Sequence, residues 1–173
     1  MKHIRTKSIP NIILPLLLLG IIAGITACNN TINNKEMTEQ TSSAIFPKGE
    51  KLSNEYFTGN AYLYKLLAKD KNNEFALGSV TFEPGARTVW HTHPKGQVLI
   101  VTEGEGFYQE KGKPAQALKK GDVVNIPENT EHWHGASADH KLVHIAITNY
   151  KNEENVVWLK PVTEEEYNEV NKK

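Results

Sequence analysis

The chain has a single cysteine, Cys28, among 173 residues, so no intramolecular disulfide can form. It also lacks an excess of either charge: 20 Lys and Arg stand against 20 Asp and Glu, giving a formal net charge of zero. Lys and Glu are interspersed without a basic stripe, which argues against a nucleic-acid partner. The longest apolar run, from Ile12 to Ile22, is interrupted by Pro15 and Gly20. It falls short of the about 20 residues that a membrane-spanning helix needs. Internal repeats are missing. So is any long stretch of helical period between Tyr56 and the C-terminal tail, and this disfavours an α/β crossover fold.

The N-terminal end carries a targeting signature instead. Lys2, His3, Arg5 and Lys7 precede the short apolar run, which leads to Ile25-Thr26-Ala27-Cys28. That end resembles the bacterial lipobox, which implies cleavage after residue 27 and a lipid on Cys28. Residues 1–27 are therefore expected to be a lipoprotein signal peptide. Residues 28–47, rich in Asn, Thr, Ser, Glu and Gln, are expected to be a tether, because they can bury too little apolar surface to offset their ordering entropy. The expected location is the bacterial cell envelope, outside the cytoplasm, as a periplasmic or outer-membrane lipoprotein. One domain, residues 48–173, follows.

That domain alternates short apolar runs with Gly, Pro and Asn punctuation, the pattern of an all-β sandwich or barrel. Expected strands are Ala61 to Leu67, Phe75 to Phe82, Thr88 to Thr92, Gln97 to Thr102, Gly106 to Gln109, Ala115 to Leu118, Val123 to Ile126, His132 to His134, Leu142 to Thr148 and Val156 to Leu159. The run Glu103-Gly104-Glu105-Gly106 reads as a turn between two of them. A short C-terminal helix is expected over Thr163 to Val170. There Thr163 and Glu166 form a capping-box pattern, and Val162 with Tyr167 can staple it.

Five of the seven histidines are concentrated at His91, His93, His132, His134 and His144. Residues two apart on a strand share a face, so His91 with His93, and His132 with His134, can project the same way. If the two runs lie on adjacent strands, three imidazoles and the amide of Gln97 can converge on one ion. A divalent ion so held keeps open positions for water or substrate, and ligand type leaves Mn, Fe, Ni, Co and Zn all possible. A neutral Gln97 in place of a carboxylate leaves the ionic charge uncompensated. That favours Lewis-acid chemistry and disfavours a trivalent ion. By alternation His144 shares a face with Ala146 and Thr148. Trp90 and Trp133 point away from the ligands as packing residues, and His140 belongs to a solvated turn. Arg87 and Glu83 receive no role.

Two glycine-proline frameworks surround these residues. Gly85-x5-His91-x-His93-x3-Gln97-x6-Gly104 resembles the first signature of the cupin superfamily, with Gln97 at the usual Glu position. Gly121-x5-Pro127-x4-His132 resembles the second, with Asn129 and Ala136 as departures, so the core motifs span residues 85–136. The runs Val80 to Pro94, His132 to Ala136 and His144 to Ile147 further resemble small bacterial cupins with hydroxynitrile lyase activity. The resemblance implies a double-stranded β-helix, or jelly-roll-like barrel, and often a homodimer. It implies a manganese-type divalent ion on His91, His93, Gln97 and His132. Pocket histidines fall on His134 and His144, and a pocket threonine on Thr88. At Thr148 the lyases carry Gln, which puts substrate contacts there in question. The implied activity is metal-dependent cleavage and synthesis of a cyanohydrin or similar small hydroxylated or carbonyl substrate. His144 would take the hydroxyl proton and His134 would serve the leaving cyanide, each with an imidazole near its ordinary pKa. Two alternatives stand beside it: an iron-dependent dioxygenase or oxidase, and a non-enzymatic envelope module that binds a small molecule with a metal clamp.

Overall fold

A computed structural model describes residues 45–172. The expected signal peptide, the lipidation site Cys28 and residues 28–44 of the tether lie outside the described residues. Twelve strands and one helix follow in order: β1 (Glu50–Lys51), β2 (Phe57–Thr58), β3 (Ala61–Leu67), β4 (Phe75–Phe82), β5 (Arg87–Thr88), β6 (His91–Thr92), β7 (Gln97–Glu110), β8 (Gln116–Lys119), β9 (Val123–Ile126), β10 (His132–Ala136), β11 (Leu142–Asn149), β12 (Val157–Trp158) and α1 (Glu164–Val170). Among the described residues no helix is long and apolar enough to cross a membrane.

All pairing between these strands is antiparallel, in a curled sheet ordered β1-β3-β4-β11-β7-β10-β5-β2. Strand β7 turns the corner. Its first part pairs with β11 and β9, and its second with β10 and β8. The expected turn at Gly104 is therefore a correction: the chain runs on as one 14-residue strand. Thr102 instead is bulged out, since Val143 pairs with Glu103 and His144 with Val101, and Gly104, opposite Leu142, follows at φ 78°. An extra residue flips the phase of the pleat and increases the bend. Accordingly Gln97, Leu99 and Val101 are buried before the bulge, and Gly106 and Tyr108 after it.

A second correction concerns Thr88 to Thr92, expected as one strand. Two short strands pair with β10 instead, Arg87 opposite Gly135 and His91 opposite His132. Four steps on one side match three on the other, so one residue is bulged out. Strict alternation would put Thr88 and His91, three apart, on opposite faces. The bulge lets both line the interior while Trp90 packs outside.

The main core fills the concave side with residues such as Phe82, Leu99, Val101, Leu118, Ile126 and Leu142. A smaller cluster of Trp90, Trp133, Val162 and Tyr167 lies under α1, which explains why every residue of β10 is buried. The helix begins as the capping box requires. Glu166 N donates to Thr163 Oγ1 at 3.1 Å, and Thr163 N donates to Glu166 Oε2 at 3.0 Å. Arg87, given no role from sequence, ties this helix to the barrel. Its guanidinium pairs with Glu164 at 2.6 Å and lies 4.2 Å above the Tyr167 ring. Asn129, where the usual second signature has Gly, adopts φ 58°, a left-handed conformation that Asn tolerates better than most residues.

Candidate metal centre

Each of the three predicted histidine ligands has its Nδ1 occupied by a backbone carbonyl. His91 Nδ1 donates to Val89 O at 2.9 Å, His93 Nδ1 to Asn155 O at 2.5 Å, and His132 Nδ1 to Thr130 O at 2.8 Å. A neutral imidazole with its proton on Nδ1 presents a lone pair on Nε2, so these carbonyls select the metal-binding tautomer. One ligand nitrogen from each ring falls within 4.8 Å of the others. Nε2 of His93 and His132 and Oε1 of Gln97 are buried without any hydrogen-bond partner. Orphaned acceptors of this kind are costly, and a cation satisfies all of them at once. The residues therefore fit a divalent ion.

The four donors come from separate elements. His91 and His132 face each other across the β6–β10 pair with ring centroids 4.2 Å apart. His93 stands just beyond β6, and Gln97 opens β7 opposite Thr148 of β11. Gln97 Nε2 donates to Thr148 Oγ1 at 2.8 Å, which orients the amide and leaves Oε1 as the free donor atom. Thr148 thus serves the metal-ligand set as a positioning residue. Thr148→Val should lower metal affinity about 10-fold while Thr148→Ser stays near wild type, as read by competition with a chelator of known affinity. Equal affinity in all three proteins would remove Thr148 from the site.

His134 and His144 face the same cavity, with ring centroids 4.9 Å apart. Nδ1 of His134 and both nitrogens of His144 are buried and unpartnered. Thr88 reaches the same wall, and its Oγ1 accepts from His134 N at 3.2 Å. The expectation of ordinary imidazole pKa values fails here. Burial holds the His144 imidazole down to about 4. Burial, reinforced by the neighbouring His144, lowers His134 well below its usual value. Both rings are neutral at pH 7.

This neutrality has a stability consequence. His144 titrates near 6.5 when unfolded and near 4 when folded. Below pH 6.5 the unfolded chain binds the proton that the folded chain refuses. Stability present above pH 6.5 is therefore lost progressively as pH falls to about 4. For His144 alone the loss is about 3 kcal/mol in metal-free protein. Urea unfolding at pH 7 and at pH 4.5 checks this, and a pH-independent midpoint would contradict it.

The cavity has a volume of about 520 Å³ and is largely apolar apart from this histidine floor. Trp158, facing His91 across the β12–β6 pair, stacks on Tyr56 at 4.8 Å and forms its aromatic wall with Phe57. No pocket role follows from the sequence for Tyr56, Phe57 or Trp158. The segments that carry them are too short for a periodic signal, and only the pairing of β12 with β6 brings Trp158 to the site. His140 is a surface residue near Glu105, as expected.

An antiparallel curled sheet with clustered histidines on its inner face is the architecture of the cupins, and residues 78–148 match the cupin domain family. The chain belongs to this family. It is 42% identical over 113 residues to an (R)-mandelonitrile lyase from Granulicella tundricola, covering 65% of this chain and 86% of that one. A crystal structure of a cupin-like protein from Thermotoga maritima has 53% sequence identity and a TM-score of 0.70, covering 73% of this chain and 96% of that one. An acireductone dioxygenase from Bacillus licheniformis is 31% identical over 61 residues, which span 33% of this chain and only 34% of that enzyme.

Proposed function

We propose that this cupin is a metal-dependent lyase for a small hydroxylated or carbonyl substrate, with reversible cyanohydrin cleavage as the concrete reaction. One observation carries the reading. A three-imidazole, one-amide donor set shares its pocket with two further buried imidazoles whose nitrogens are unpartnered. The similarity to the mandelonitrile lyase supports it.

A divalent ion on His91, His93, His132 and Gln97 would supply Lewis acidity, polarising a substrate oxygen. A ring nitrogen of His144, neutral at pH 7, accepts the hydroxyl proton of the cyanohydrin. The bond between the carbinol carbon and the nitrile carbon breaks, its electron pair leaving with cyanide as the carbonyl forms. His134 stands beside His144 and stabilises the departing cyanide, which takes up the proton the hydroxyl released. Substrate hydroxyl and product hydrogen cyanide thus exchange one proton through the imidazole pair. The apolar walls exclude water from the carbonyl product. Gln97 contributes no negative charge, which counts against a trivalent ion and thus against oxygen-dependent chemistry.

The test is release of benzaldehyde from mandelonitrile by protein loaded in turn with Mn, Fe and Zn, with oxygen uptake recorded in parallel. Turnover that falls about 100-fold or more in His144→Ala supports the reading. No release above the buffer rate with any metal would end it, and oxygen uptake would favour a dioxygenase.

A further inference from the structure

Leu63, Lys65 and Leu67 of β3 line the cavity, with Lys65 and Leu67 exposed at its rim. Lys65 therefore places a cation in an otherwise apolar row. Its neighbour on the rim, Lys69, is already paired, donating to Glu153 Oε1 at 2.6 Å and Asn152 O at 2.7 Å. Lys65 has no ion-pair or hydrogen-bond partner among the described residues.

Strand register shows what lies between Lys65 and the histidines. Lys65 is opposite Gly78 on β4, and Gly78 is opposite Ala146 on β11. Between Lys65 and β7 this row carries no side chain larger than a methyl group, and it ends at Leu99, opposite Ala146. One flanking row holds Leu63, Val80 and His144, and the other holds Ala76, Thr148 and Gln97. The result is a low apolar trough running from Lys65 to a point between His144 and Thr148. Over Gly78 the trough is narrowed by Leu63, whose Cδ1 lies 2.5 Å from where a Cβ on that glycine would be. Two strand spacings separate β3 from β11, about 10 Å of sheet, and a third reaches Gln97 on β7.

We infer that the natural substrate is an elongated amphipath: a hydroxyl or carbonyl head at the histidine floor, an apolar body along the trough, and a carboxylate or similar anion held by Lys65. The inference rests on the reading of this cavity as the substrate site. It narrows that reading, because mandelonitrile has no anionic end.

The experiment uses binding rather than turnover. Metal-loaded protein is titrated calorimetrically with 4-[4-(hydroxymethyl)phenyl]butanoate and with its methyl ester, which keeps the shape and removes the charge. The acid should bind at least five-fold more tightly than the ester. The difference should vanish in Lys65→Met and persist in Lys65→Arg, with metal content unchanged in both variants. A preference that survives in Lys65→Met would mean the carboxylate sits on the metal instead, and would overturn the inference, as would equal binding of acid and ester to wild type. A Lys65-dependent preference in a protein that does not cleave mandelonitrile would leave the inference standing and remove the lyase. Cleavage with no such preference would do the reverse.

Discussion

Replacing His132 by alanine will abolish metal binding and, with it, turnover. His132 is fully buried in β10, its ring 4.2 Å from His91 and 5.4 Å from His93 by centroids. Without it two imidazoles and one neutral amide remain, and none of them carries negative charge to compensate. Loss of partners that merely orient a ligand costs 10- to 100-fold in affinity, so loss of the ligand itself should exceed about 100-fold. Elemental analysis after dialysis should find near-stoichiometric metal in wild type and only traces in the variant. The same sample should keep its far-ultraviolet circular dichroism, since β10 is held by backbone pairing to β7 along its whole length. Full metal content in His132→Ala would overturn the ligand assignment.

The largest effect on folding is expected at Gly104, at the corner of β7. A Cβ there would lie 1.8 Å from the carbonyl oxygen of Lys141, and the residue has φ 78°. Neither conflict can be relieved by a rotamer change, because both involve backbone. Gly104→Ala should therefore cost about 4 kcal/mol, combining left-handed strain with displacement of β11 from β7. For a domain of this size that lowers Tm by roughly 15 °C. Gly112 offers a control: it also has positive φ, at 77°, but nothing lies within 4 Å of its would-be Cβ. Gly112→Ala should thus lose only about 1 kcal/mol. Thermal melts of the two variants measure the difference, and equal losses would show that the β7 corner tolerates a side chain.

Gly104 also marks where the sequence was hard to read. Two glycines flanked by glutamates look like a turn, because local composition cannot distinguish a chain reversal from a bulge in a continuous strand. That distinction depends on whether β11 and β10 are present to pair both halves of β7. The break between Thr88 and His91 is a similar case. His132 supplies the register that creates it, and His132 lies 41 residues further on. By contrast, β3, β4 and β9 were legible to the residue, since alternation of apolar side chains is a local property. The C-terminal helix was legible for the same reason, its capping box lying within four consecutive residues. Arg87 was not, because its partners Glu164 and Tyr167 are 77 and 80 residues away.

The sequence by itself determined which side chains can coordinate a metal, that they sit on an all-β scaffold, and that the fourth donor is neutral. Those facts follow from residue type and from spacings of a few positions. Only the tertiary structure decided the tautomers, through carbonyls as distant as that of Asn155, 62 residues beyond His93. It also decided the neutrality of His134 and His144, since burial is a property of the packed barrel. The trough from Lys65 to the histidine floor belongs with these, being written across β3, β4 and β11. A chain encodes its donors locally, but the environment that gives them chemistry is assembled from strands that meet only on folding.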